Sequence, residues 1–183
     1  MGDLSLTKTI KNYLFLFIVS GVLTALDQWS KYAIRTNLSL GEIWSPWDWM
    51  TPYARFVHWQ NTGVAFGMFQ GNGNIFAVLS AAVSVIIIYY YPRVIGDSKL
   101  LRLVTSILLA GSLGNFFDRV TVGYVTDFIS IGNFPVFNIA DSCISVGVVI
   151  LLIYVWFEER KDKKKQQADA VLEPVDDKED RED

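Results

Sequence analysis

Four long apolar runs organise this chain, with polar residues gathered between them and at their ends. The first, Tyr13 to about Ala33, opens as YLFLFIVSGVLTAL and closes on Asp27-Gln28-Trp29-Ser30-Lys31. Ile75–Tyr91 reads IFAVLSAAVSVIIIYYY, and Leu100 to about Phe117 and Phe137–Phe157 complete the set. Each run is roughly 17–21 residues, the length a helix needs to cross a hydrocarbon layer about 30 Å thick. Buried helices of a soluble bundle would carry polar residues at helical spacing along one face, and IIIYYY has none. The first run is too long for the apolar core of a cleaved signal peptide, and no A-x-A-like site follows it, so it reads as a retained first span. The pattern predicts four transmembrane helices.

The segment between the first two spans, 37–72, is more than a linker. Ile43-Trp44-Ser45-Pro46-Trp47-Asp48-Trp49-Met50 is rich in tryptophan, and Pro46 and Pro52 prevent a long helix. Ala54–Trp59 (ARFVHW) is aromatic and β-branched and predicts a short strand. The predicted class is a membrane all-α fold with a small extracytoplasmic β element. Tryptophan suits the bilayer interface, where an apolar ring and a polar N–H are both accommodated. The segment therefore reads as an interfacial anchor and as a platform for a membrane-embedded substrate. His58, set among aromatics, reads as a packing or hydrogen-bonding residue.

Composition sharpens this picture. The 183 residues are 51% hydrophobic and only 19% charged, with a mean hydropathy of +0.30, too apolar for an ordinary soluble domain of this size. Eleven of the 19 acidic residues lie in 158–183, so the low isoelectric point belongs to the tail. Residues 1–157 form the predicted membrane domain. Residues 158–183 form a charged cytoplasmic tail without apolar periodicity, read as disordered. Ten Lys and Arg fall in 1–12, 92–102 and the start of the tail, against only Arg55 and Arg119 in the two outer loops, 37–72 and 118–136, the second of which holds Asp127. Both termini are thereby predicted on the cytoplasmic side of a multi-pass protein. No basic stripe suits nucleic acid. A single cysteine, Cys143, forms no internal disulfide, and a single histidine argues against a His-rich metal site, so no metal or cofactor is expected.

Ionisable residues beside membrane spans are costly and need a reason. The predicted topology places Asp27, Lys31, Asn61, Asn115, Asp118, Arg119, Asp127, Asn138 and Asp141 in one outer layer. Local readings exist for several of them. Asp27 and Lys31, at i and i+4, read as a helix ion pair of little weight if exposed. Asp118 beside Arg119 reads as a neutralised pair at a helix end. Asn138 reads as the N-cap of the fourth helix with Asp141 at its third position, where a carboxylate favours the helix dipole. Against these stands the need of Asp141, one turn into a span, for a partner. Asp127 is the candidate, with no basic residue within seven positions on either side. Two carboxylates sharing one proton leave one as base and one as acid, able to activate water and protonate a leaving amide.

Five motifs then occur in order: Asp27-Gln28-x-x-Lys31, Asn61-x-Gly63-x-Ala65-Phe66-Gly67, Gly114-Asn115-x-x-Asp118-Arg119, Val125-x-Asp127-Phe128 and Phe137-Asn138-x-Ala140-Asp141. Together, over about 13–157, they resemble lipoprotein signal peptidase (signal peptidase II) of bacteria. The resemblance implies an aspartyl endopeptidase of the cytoplasmic (inner) membrane that cleaves diacylglyceryl prolipoproteins before the lipidated cysteine, near the outer face. It implies Asp127 and Asp141 as the catalytic pair. Asn61, Asn115, Asn138 and Arg119 would hold the pair and the substrate backbone, with Gly63, Gly111, Ala140, Asp27, Lys31 and Asp118 in support. Globomycin is the inhibitor the family implies, and membrane lipid is an implied partner. Val64 departs from the family's common alanine. The competing reading is a small transport or accessory membrane protein with a proton-relaying carboxylate cluster, which would spread carboxylates through the depth of the spans. A Ser30/Lys31 protease fails because adjacent residues on a helix diverge.

Overall fold

A computed structural model describes residues 2–63, 71 and 73–172. The expected motif positions Val64, Ala65, Phe66 and Gly67 and the tail beyond Leu172 lie outside the described residues. The chain divides into two units, Met1–Val148 and Val149–Asp183. Among the described residues, four helices are long and apolar enough to cross a membrane: α1 (Gly2–Asn37), α2 (Gly73–Ile95), α3 (Lys99–Thr121) and α4 (Ile139–Leu172). Three strands, β1 (Ile43–Trp44), β2 (Ala54–Asn61) and β3 (Val125–Ile131), form an antiparallel sheet in that order. The helices overrun the apolar runs because their polar ends keep helical hydrogen bonding outside the apolar layer. Ser98, for example, caps α3 by accepting the Leu101 N–H at 3.2 Å.

The first unit is built around α3, of whose apolar window 56% is buried against 22% for α1. The outward faces are apolar, with Phe17, Ile18 and Val22 of α1 and Val78 and Ile86 of α2 exposed. In water such surface would be a liability; in lipid it is the solvent face. The buried stripe of α1 runs Leu16, Ser20, Thr24, Asp27, Lys31, a helical spacing of four, four, three and four. It is apolar where Leu16 packs with Tyr91, Ile95 and Leu109 and becomes charged toward Asn37.

The predicted strand at Ala54–Trp59 is present as part of β2. β3 was expected only as loop; Val125-Thr126-Asp127-Phe128-Ile129-Ser130-Ile131 is a strand because a β-branched run follows the turn at Gly123, whose φ is +84°. Pairing shifts register between Phe56↔Ile129 and Trp59↔Asp127, a bulge of the kind that re-aims side chains near functional sites. The second unit begins with the rest of α4. Residues 158–172, expected without regular structure, are helical. The run Glu158-Glu159-Arg160-Lys161 and its Lys- and Gln-rich continuation are strong helix formers, with Glu158 accepting from Lys161 at 2.7 Å and Arg160 over the Trp156 ring at 3.9 Å.

Candidate active site

Asp127 projects from β3 beside Asn61 of β2, whose partner in the sheet is Val125. This diagonal arrangement lets Asn61 Nδ2 donate to Asp127 Oδ2 at 2.9 Å. The Asn61 Oδ1 accepts the Gly63 N–H at 3.0 Å, which fixes the amide's direction. After β3 the chain turns back, and Phe137 bridges to Ile129: Phe137 O accepts from Ile129 N at 2.7 Å, and Phe137 N donates to Ile129 O at 3.0 Å. That bridge delivers Asn138 to Asp127, and Asn138 Nδ2 donates to Asp127 Oδ1 at 2.7 Å.

Asn138 also begins α4. Its Oδ1 accepts the Asp141 N–H at 2.9 Å, and its own N–H donates to Asp141 Oδ2 at 3.3 Å, the reciprocal arrangement of a capping box. The local capping expectation therefore holds, and it is also what places Asp141 beside Asp127. Asp141 Oδ1 accepts from Asn115 Nδ2 of α3 at 2.7 Å. Asn115 Oδ1 in turn accepts from Lys31 Nζ at 3.2 Å and Asn138 Nδ2 at 3.3 Å.

Lys31, fully buried, spends its three N–H groups on Asn115, on Asp27 Oδ2 at 2.8 Å and on Asp118 Oδ2 at 3.2 Å. The expected pairing of Asp27 with Lys31 is present, but as a buried three-way junction rather than an exposed pair. Asp27 Oδ1 reaches across to accept the Ala140 N–H at 2.9 Å, so a carboxylate from α1 supplies a second cap for the first turn of α4. Gly114 makes room for it, since a Cβ there would lie 2.6 Å from Asp27 Oδ2. Gly111 likewise lets α4 approach; its Cβ would lie 2.5 Å from Ala140 O.

The expected Asp118–Arg119 pair is corrected. Successive residues on a helix point about 100° apart, and Asp118 faces α1 while Arg119 faces away. Asp118 is held by Lys31, by Arg35 Nη1 at 3.3 Å and by the Thr126 N–H at 2.8 Å. Arg119 Nη2 donates to Gly63 O at 3.2 Å, and its guanidinium lies 5.7 Å from the Phe76 ring centre. Arg35 and Thr126 carry parts of this network that the sequence reading did not single out. The signal was there: Arg35 continues the 27, 31 spacing of α1 by another four.

His58 is buried, with Nδ1 2.9 Å from Leu38 O, in keeping with a structural role. Trp44, Trp47 and Trp49 are more than half exposed.

Asp127, Asp141, Asn61, Asn115, Gly63 and Arg119 all line one cavity of about 1210 Å³. Its other walls are chiefly apolar, from Phe76, Leu79, Val83, Ile87, Leu108, Ile144 and Val148. It is therefore a site for an apolar chain with polar groups at one end. Burial first, and then the Asp141 carboxylate, push the Asp127 pKa up to about 7, against the opposing N–H donors of Asn61 and Asn138 and the Lys31 charge. Asp127 thus holds its proton much closer to neutral pH than an ordinary carboxyl does.

The sequence model of the family described as Signal peptidase (SPase) II matches residues 19–157. The chain belongs to that family. Among its relatives, the lipoprotein signal peptidase of Enterococcus faecalis is 39% identical over 150 residues, covering 81% of this chain and 91% of the relative. That of Streptococcus pneumoniae is 39% identical over 140 residues, covering 75% and 90%. A solved bacterial membrane enzyme superposes with a TM-score of 0.71 at 28% identity, covering 79% of this chain and 88% of that one. Membership makes this a multi-pass membrane peptidase whose substrate is a lipoprotein, and it does not favour the transporter reading. The match spans all five motifs.

Proposed function

We propose that this protein removes the signal peptide from diacylglyceryl-modified prolipoproteins, cleaving before the lipidated cysteine, as an aspartic-type endopeptidase with Asp127 and Asp141 as its catalytic pair. The observation that carries this reading is the delivery of two carboxylates, from β3 and from the first turn of α4, to the polar end of one apolar cavity through a shared asparagine, Asn138. In the proposed cycle Asp127 holds the pair's proton. Asp141 takes a proton from a water as the water oxygen bonds to the scissile carbonyl carbon, and the Asp127 proton passes to the carbonyl oxygen. Asp141 then gives its proton to the amide nitrogen and the C–N bond breaks. The second hydroxyl of the diol returns its proton to Asp127 as the carboxylic acid forms. Both carboxylates end as they began.

In this reading Asn61 and Asn138 orient Asp127, and Asn115 orients Asp141. Arg119 and Gly63 face the substrate backbone. Asp27, Lys31, Asp118, Gly111 and Ala140 hold the helices that carry the pair. The apolar walls take the signal peptide's apolar segment, membrane lipid and globomycin-type inhibitors. The loop bias in Lys and Arg supports cytoplasmic termini and a site near the outer face, and the membrane proposed is the inner one. Residues 1–157 are the proposed peptidase domain and 158–183 an accessory cytoplasmic tail.

The test is to incubate detergent-solubilised protein with a lipidated prolipoprotein and look for a shorter product that globomycin abolishes. Asp127→Asn and Asp141→Asn are each expected to lose cleavage by several orders of magnitude while remaining folded. If Asp127→Asn cleaves normally and a folded Asp118→Asn does not, the pair is Asp118 with Asp141.

A further inference from the structure

We infer that Arg35, on the last turn of α1, is a positioning residue that aims Asp127 by clamping β3 through Asp118 and Thr126. The inference rests on the proposed role of Asp127, and it adds a residue that the motif resemblance does not contain. Arg35 Nη1 has two N–H groups; one donates to Thr126 Oγ1 at 2.9 Å and the other to Asp118 Oδ1 at 3.3 Å. Asp118 Oδ2 accepts the backbone N–H of the same threonine at 2.8 Å. Thr126 is thus gripped at side chain and main chain by a cation from α1 and a carboxylate from α3, and it is fully buried. The next residue is Asp127. With Thr126 fixed at two atoms, the strand cannot roll, and the direction in which Asp127 leaves it is set.

Charge supports the assignment. Asp27 and Asp118 are balanced by Lys31 and Arg35, all in direct contact. Lys31 commits its remaining N–H to Asn115, on the Asp141 side, while Arg35 commits its own to Thr126, on the Asp127 side. Arg35 of this α1 stripe is thereby bonded directly to the strand that carries Asp127. Arg35 is not among the described residues that line the cavity, so it acts through Thr126 and Asp118 rather than on the substrate.

The experiment compares Arg35→Ala, Arg35→Lys, Thr126→Val and the double variant Arg35→Ala/Thr126→Val in the full chain in detergent. Thr126→Val keeps the side chain's shape and the main-chain bond to Asp118, removing only the acceptor for Arg35. Arg35→Ala and Thr126→Val are each expected to lower kcat for the lipidated prolipoprotein by about 10- to 100-fold, the cost of a misaimed group, with KM within about threefold. The double variant is expected to lose no more than the worse single one, because both remove the same contact. Arg35→Lys is expected to recover most of the loss. Independently of cleavage, amide exchange across 125–131 is expected to quicken about tenfold in Arg35→Ala and in Thr126→Val. Unchanged exchange in both variants overturns the clamp, as do losses in kcat that multiply in the double variant. Equal cleavage by wild type and Asp127→Asn overturns the catalytic reading instead, and exchange then decides the clamp by itself.

Discussion

Raising the pH should switch off this enzyme through one side chain, and the structure sets where. Asp127 holds its proton up to about pH 7 in the folded protein, against a usual value of 3.8. If Asp127 supplies the pair's proton, cleavage is expected to fall about tenfold per pH unit above that point, leaving about 1% of the maximal rate near pH 9. Stability should follow the same group. A carboxyl whose folded pKa is raised contributes stability that is complete below the unfolded pKa. That contribution is lost progressively as pH climbs to the folded one, because the unfolded chain ionises first. Each full unit in that window removes about 1.4 kcal/mol, and with the folded-state group half ionised at pH 7 the step from pH 5 to pH 7 removes about 2.3 kcal/mol. For a chain of this size that is roughly 5–10 °C in Tm. The assay is kcat/KM for the lipidated prolipoprotein from pH 5 to 9, with melting of wild type and Asp127→Asn in the same detergent buffers. The Asn variant cannot titrate at 127, so the difference between the two melting curves isolates the group. Cleavage flat from pH 6 to 9, or parallel Tm profiles for the two proteins, would refute the reasoning.

Three further outcomes follow from the packing, the charges and the loops. Gly114→Ala would push a methyl to 2.6 Å from Asp27 Oδ2 and 2.9 Å from Ala140 Cβ. It is expected to lower Tm by an overpacking cost of about 1–3 kcal/mol and to reduce cleavage. Lys31→Met leaves Asp27 and Asp118 buried without their shared cation, an expected loss of about 3–5 kcal/mol read as reduced yield and Tm. A reporter that functions only in the cytoplasm, fused after Lys165, is expected to be active; an inactive fusion in a protein that still cleaves would reverse the proposed orientation.

What the sequence determined by itself is what short-range physics decides. An uninterrupted apolar run such as IFAVLSAAVSVIIIYYY tolerates no aqueous face, so the four spans were legible without any knowledge of their neighbours. The Asn138–Asp141 cap was legible for the same reason, since both partners lie within one helical turn. So was the strand around Phe56, because its pattern is local.

The tertiary structure alone decided who meets whom. Adjacent numbering suggested Asp118 with Arg119, yet Asp118 pairs with Lys31 and Arg35, more than 80 positions away. Asp27 reads as the partner of Lys31 and is also a cap for Ala140, 113 positions distant. Asp127 sat on what reads as loop until β2, with its bulge, gave β3 a partner strand. A buried charge takes its partner from whichever helix or strand packs against its face. That face is chosen by the packing of all the elements together, a quantity no single stretch of chain contains.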